Sequence, residues 1–284
     1  MTDVMVVGAG EMGTGIAQLA LAAGHHVELV DVSSNALDVA RRLLARRLER
    51  DREKGWVDDE AGLLLQRLTT SSLDDRVRTV GLGVEVVIEA VPAVVRTKRE
   101  VLSALSAATG DGTVIATTSL AVPVTVLLDR NAAQERVLGF HFMNPAPALR
   151  LCELVAPAAV APWAVRFSNQ FLASLGLTVV AAPDRPGFIL NRTHVPFLLG
   201  AVDRVEEGCD PADVDTVFEL GCRHPMGPLA TADLVGLDAV LSISETLLAA
   251  EPNSRFAIPG LLRRKVEAGE LGRKTGQGFF EYSP

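Results

Sequence analysis

Cysteine is scarce in this chain. The three residues, Cys152, Cys209 and Cys222, are scattered and none forms a CxxC pair. That excludes a disulfide framework and points to a reducing, cytoplasmic setting. Excess positive charge is missing too. A formal net charge of −8 argues against nonspecific electrostatic binding to nucleic acid or anionic membrane. Gly, Pro or a charge interrupts every apolar run before it reaches the roughly 18 residues a bilayer-spanning helix needs, so no membrane segment is expected. The opening Met-Thr-Asp leads straight into apolar residues without the basic stretch of a signal peptide. No repeat or low-complexity segment stands out. No His/Cys group has metal-ligand spacing, so no metal is expected.

What the chain does have is apolar residues, at 48% of 284, enough to build one large domain or two ordinary ones. Short apolar runs recur at Val4–Val7, Val27–Val30, Val84–Ile88, Val114–Thr117, Val137–Phe140, Leu151–Val155 and Thr178–Ala181. Runs apolar at consecutive positions predict strands buried on both faces, and helix-length segments fit between most of them. One such helix is expected from about Ser34 to Lys54, with Leu37, Leu44 and Leu48 on one face and Gly55 as its stop. After Ala182-Pro-Asp-Arg-Pro-Gly187 the pattern becomes almost wholly helical. The candidates there are Phe188–Glu207, Pro211–Leu220, Leu237–Ala250 and Gly260–Ala268. The expected architecture is an α/β doubly wound sheet domain over residues 1–183, followed by an all-α domain over 184–284.

Gly8-Ala9-Gly10-Glu11-Met12-Gly13 follows the first expected strand and opens a helix ending near Gly24. The GxGxxG pattern alone is weak, but its place between strand and helix is specific. Gly8 permits a tight turn, Gly10 lets a pyrophosphate approach the backbone, and Gly13 lets helix and strand pack closely. The helix N-terminus offers unpaired N–H groups and a positive dipole end to phosphate. Asp31 ends the second strand, where a carboxylate accepts hydrogen bonds from both ribose hydroxyls and repels a 2′-phosphate. This predicts a Rossmann-type site for NAD, in preference to NADP.

His141 closes one strand and Glu153 lies in the next, joined through Phe142-Met-Asn144-Pro-Ala-Pro147. A carboxylate bonded to one ring nitrogen fixes the tautomer and raises the basicity of the other. Such a base can take a hydroxyl proton while hydride leaves the same carbon. Asn144 and Asn191 are uncharged donors able to hold a carbonyl or hydroxyl oxygen. By itself this pairing is not specific, because a histidine before a Pro-rich loop and a glutamate on a strand are often structural.

Together, VVGAGEMGTGIAQ, VIEAV, GFHFMNPAPALRLCELV, PGFILNR, HPMGPL, DLVGLD and LGRKTGQGFFEY resemble the short-chain 3-hydroxyacyl-CoA dehydrogenases, especially the bacterial 3-hydroxybutyryl-CoA group. The resemblance spans essentially the whole chain. It implies NAD-dependent interconversion of a 3-hydroxyl and a ketone on an acyl thioester. It also implies His141 and Glu153 as the catalytic pair, with Asn144 and Asn191 beside them. Ala90 of the VIEAV segment, Lys98 and Lys274 fall at cofactor-side positions. A homodimer formed through the helical domain is implied as well.

Two departures stand out. The family's glutamate four residues after the VIEA glutamate is replaced by Ala93, which removes a cofactor contact. The family's SNTSSL-type loop, whose serine contacts the substrate hydroxyl, reads Ala116-Thr-Thr-Ser-Leu-Ala121. One register sets Leu120 at that serine. A register shifted by one sets Ser119 there, and a hydroxyl is chemically useful beside a base, which favours Ser119. Three functional readings follow: oxidation of a short 3-hydroxyacyl-CoA; the same chemistry on an acyl carrier protein, such as a glyceryl thioester; and a non-catalytic NAD-binding protein.

Arg41, Arg42, Arg46, Arg47 and Arg50 on the Ser34 helix read either as a solvated face or as a dock for phosphate or an acidic carrier protein. His25 and His26 read as a solvated turn. His194 and His224 read as structural, and Cys152 as a small core residue. Glu89 could approach the cofactor or cap a strand end.

Overall fold

A computed structural model describes residues 1–73, 83–129 and 132–283. Two compact units divide between Asp184 and Arg185. In the N-terminal unit the described strands are β1 (Asp3–Val7), β2 (His26–Asp31), β3 (Leu68–Ser72), β4 (Val86–Glu89), β5 (Val114–Thr117), β6 (Val137–Phe142), β7 (Leu151–Val155) and β8 (Thr178–Ala182). They form one sheet in the order β3-β2-β1-β4-β5-β6-β7-β8. All neighbours run parallel except β6 and β7. Every residue of β4, β5 and β6 is buried, as expected for strands covered on both faces.

The described helices of this unit are α1 (Glu11–Ala22), α2 (Ser34–Glu53), α3 (Ala61–Leu65), α4 (Val95–Ala108), α5 (Val124–Leu127) and α6 (Pro162–Ser174). Leu37, Leu44 and Leu48 of α2 are buried, and Ser33 caps the helix by accepting from Ala36 N. Strand β3 was not expected. Its sequence, Leu-Thr-Thr-Ser-Ser, buries only Leu68 and lies at the sheet edge, so it carries no apolar period to read.

Chain order reverses at β1, which lies between β2 and β4. A crevice opens at the carboxyl ends of the strands at such a switch point, and open α/β sheets bind ligands there. The N-terminus is held by His25, which is buried rather than solvated. Its Nδ1 accepts from Thr2 N at 3.0 Å, and its Nε2 lies 2.9 Å from Ser174 Oγ. His26 is exposed and pairs with Asp3, as a solvated residue would.

The C-terminal unit is helical: α7 (Leu190–Glu206), α8 (Pro211–Thr216) running into a π turn (Val217–Gly221), α9 (Pro228–Val235), α10 (Leu237–Ala250) and α11 (Gly260–Glu267). Helix α9 was hidden in what reads as a Pro/Gly-rich turn, because Pro228 takes the one helical position that suits proline, the first. Its N-cap, Gly227, has no side chain to satisfy the first turn. Asp215 does so from α8, accepting from Leu229 N at 2.8 Å and Ala230 N at 2.9 Å. Burial pushes the Asp215 carboxyl up, and these two N–H groups oppose that shift. Asp233 pins the C-terminal segment in the same way, accepting from Phe279 N, Phe280 N and Tyr282 Oη at 3.0 Å each. No helix among the described residues is long and apolar enough to cross a membrane.

Candidate active site

The glycine turn after β1 shows why each glycine is there. Gly8 has φ +110°, and a Cβ on it would lie 2.5 Å from the Ala90 carbonyl oxygen. A Cβ on Gly13 would lie 1.8 Å from the Gly8 oxygen. Both are demanded by the protein's own packing. Gly10 differs, since a Cβ there would meet no atom within 4 Å. Packing therefore gives no reason for glycine at this position, and the space beside it is open to a ligand. Gly10 is also the N-cap of α1, without a side chain to satisfy the first-turn N–H groups. Gly8, Ala9, Gly10, Glu11 and Met12 border a cavity of about 640 Å3 at the carboxyl ends of β1, β2 and β4, within the usual size of a small-molecule site.

Asp31 lines the same cavity. Its Oδ2 accepts from Ala9 N at 2.7 Å and its Oδ1 from Ser33 N at 2.9 Å. The carboxylate thus braces the glycine turn and places negative charge at one end of the cavity. Glycine turn, Asp31 and cavity together match the shape and charge of NAD: a helix N-terminus for the diphosphate and a carboxylate for a 2′-hydroxyl.

Ala90 and Ala93 border the cavity from the segment after β4. Glu89, at the end of that strand, is fully buried and takes the structural alternative open to it. It accepts from Lys98 Nζ at 2.8 and 3.0 Å, from Thr117 Oγ1 at 2.7 Å and from Val91 N at 2.8 Å. Lys98 borders the cavity, and its ammonium is held by this buried carboxylate.

On the far side, Asn144 lines the cavity, followed by a cis Asn144–Pro145 peptide bond. Gly15 permits this approach, because a Cβ there would lie 3.3 Å from Pro147 Cδ. Thr118 and Leu120 also line the cavity, whereas Ser119 does not. The Ser119 hydroxyl donates to Val122 O at 2.8 Å and accepts from Val122 N at 3.0 Å, closing its own turn. The local turn engages this hydroxyl, and Leu120, the next residue, borders the cavity.

His141 and Glu153 face each other across the antiparallel β6–β7 pair. His141 Nδ1 lies 2.6 Å from Glu153 Oε2, and both residues are buried. A carboxylate on Nδ1 holds the proton there, so the neutral ring carries its lone pair on Nε2. The antiparallel strand is what makes this possible, because directly opposed residues project from the same face. Neither residue is among those bordering the 640 Å3 cavity, while Asn144, three residues beyond His141, is. Cys152 is buried beside Glu153, and its burial holds the thiol protonated.

Asn191 and Lys274 belong to the C-terminal unit. Asn191 is buried in the first turn of α7, preceded by Gly187 (φ +75°) and Phe188 (φ +52°). The Lys274 ammonium is bound by the Asp238 carboxylate, with Oδ2 at 2.6 Å. His194 stacks on Phe197 with ring centroids 6.0 Å apart, and burial lowers its pKa.

The profile of the 3-hydroxyacyl-CoA dehydrogenase NAD-binding domain matches residues 3–185, and that of the family's C-terminal domain matches residues 187–282. The chain belongs to the 3-hydroxyacyl-CoA dehydrogenase family. It is 36% identical over 287 residues to a 3-hydroxybutyryl-CoA dehydrogenase of Mycobacterium tuberculosis, with 98% of each chain covered. Among solved structures it superposes on M. tuberculosis FadB2 with a TM-score of 0.91 at 35% identity, covering 99% of this chain and 98% of the other. It also superposes on (S)-3-hydroxybutyryl-CoA dehydrogenase PaaH1 from Ralstonia eutropha with a TM-score of 0.90 at 31% identity over the whole of both chains. The protein is an NAD-dependent oxidoreductase of this family.

Proposed function

We propose that this protein interconverts the 3-hydroxyl and 3-keto groups of a short 3-hydroxyacyl-CoA, with His141 as the general base and Glu153 as its orienter. The observation that carries this reading is the buried 2.6 Å contact between His141 Nδ1 and Glu153 Oε2. With Nδ1 committed to the carboxylate, Nε2 takes the hydroxyl proton, and the Glu153 charge stabilises the imidazolium that results. NAD, when bound, supplies the hydride acceptor. Asn144 is the donor that holds the substrate oxygen from the cavity side, and Asn191 is assigned as a second uncharged donor for the substrate. Lys98 and Lys274 are assigned to the cofactor side. A homodimer built on the helical units completes the reading. Two exposed cysteines left as free thiols fit a cytoplasmic protein.

His141→Ala should lower kcat by about 10²–10⁴ while the Kd for NAD+ stays near the wild-type value. Near-normal turnover in that variant would remove His141 from the base role.

A second reading keeps the chemistry and changes the handle to an acyl carrier protein. It is favoured by α2, where Arg42, Arg46 and Arg50 are exposed at i, i+4 and i+8 on one side of the helix, while Arg47 and Arg52 are paired with Glu11 and Glu49. Like charges at that spacing repel, and an acidic partner would relieve the repulsion. The same hydroxyacyl group offered on CoA and on carrier protein decides between the two by kcat/KM. A strong preference for CoA rejects the carrier.

A further inference from the structure

One charge in the dinucleotide site works against its ligand. Glu11 is the first residue of α1, at the positive end of the helix dipole, and it borders the cavity. A carboxylate there stabilises the helix. The same helix end, with its uncapped N–H groups, is where a diphosphate binds. Two anions on one helix terminus repel each other, so Glu11 taken alone would weaken binding.

Arg47 answers that charge. It projects from the fourth turn of α2, and its Nη2 lies 2.6 Å from Glu11 Oε1. The arginine side chain is 23% exposed and the glutamate 56%. The arginine is therefore the more shielded partner of the pair.

We propose that Arg47 is a positioning residue of the dinucleotide site: by neutralising Glu11 it returns the N-terminus of α1 to net positive and so sets the affinity for the diphosphate of NAD. Arg47 acts through Glu11 and needs no contact with the ligand. This goes beyond the hydroxyacyl reading and stands whichever thioester the enzyme uses.

The test is titration of NAD+ by calorimetry in the absence of substrate, so turnover plays no part. Arg47→Met keeps an aliphatic side chain of similar reach and removes the charge. It should raise the Kd about 3–10-fold at low salt, the effect of one unit charge near a partly hydrated helix end. The double variant Glu11→Gln/Arg47→Met should return the Kd to within about twofold of wild type, because the repulsion goes with the carboxylate. Arg47→Lys keeps the charge and should stay close to wild type. The Arg47→Met loss should shrink at about 1 M salt, where the screening length falls to about 3 Å. An unchanged Kd in Arg47→Met overturns the proposal. So does a double variant as weak as Arg47→Met, which would mean that Arg47 holds the ligand or the fold directly. An Arg47→Lys variant as weak as Arg47→Met overturns it as well, because charge would then not be the cause.

Discussion

The buried pair Glu89–Lys98 allows a sharp energetic test. Both side chains are withdrawn from water, at 0% and 4% exposure, and the carboxylate is satisfied by Lys98, Thr117 and Val91 together. Lys98→Met removes the cation and leaves a buried anion with two neutral donors. Breaking a buried pair from one side typically costs about 3–5 kcal/mol, because the remaining charge keeps its desolvation penalty. In a domain of this size each kcal/mol moves the melting temperature by about 2–4 °C, so a fall of roughly 6–20 °C is expected. Adding Glu89→Gln should recover most of it, since an amide can keep the Thr117 contact without a stranded charge. Differential scanning calorimetry of both variants beside wild type measures this. Arg96→Ala serves as the control, because its pair with Glu100 lies in solvent and should leave the melt unmoved. A Lys98→Met fall of less than about 2 °C, or a double variant no better than the single, would refute the reasoning.

Gly10→Ala should leave the melting temperature near wild type and weaken NAD+ binding about tenfold or more, since the new methyl meets nothing but the ligand's space. Gly13→Ala should instead destabilise the fold, its Cβ lying 1.8 Å from the Gly8 oxygen; thermal melts and NAD+ titrations of the two variants separate these roles. His25 gives a pH dependence. Burial and the N-terminal charge hold its pKa below the ordinary 6.5, so the unfolded chain binds the proton more readily than the folded one. Its contribution to stability is complete above about pH 6.5 and is lost as pH falls from there toward the folded pKa. His25→Gln should flatten the melting temperature across that window, and an unchanged slope would discount the residue.

The sheet could be read from the sequence where burial on both faces made consecutive strand residues apolar, as in Val86–Ile88 and Val114–Ala116. It could not be read at Leu68–Ser72, where an edge strand carries polar residues and its hydrogen bonds come from β2 alone. The glycine turn was legible because three positions each had a separate steric reason. The structure splits those reasons, two from packing and one from the space left open. The His141–Glu153 pair was legible only as two strand residues. Facing residues in antiparallel register bring Nδ1 within 2.6 Å of the carboxylate, and no spacing in the chain encodes that register.

Buried polar groups were the hardest to foresee. Asp215, Asp233 and Glu89 each satisfy backbone or side-chain donors distant in the chain that no local pattern announces. A carboxylate pays its desolvation cost only where several donors converge, and convergence belongs to tertiary structure. The same logic separates the two ends of the cavity. At the Asp31 end the carboxylate is drawn to the surface of the site by Ala9 and Ser33, which use one lone pair of each oxygen and leave it charged toward the cavity. At the Ala93 end the carboxylate that remains, Glu89, is consumed inside the protein by Lys98. In the proposed reading, charge selection by this site therefore rests on the Asp31 end and the N-terminus of α1, with Glu11 and its partner Arg47, and the wall around Ala93, Thr118 and Leu120 would select by shape.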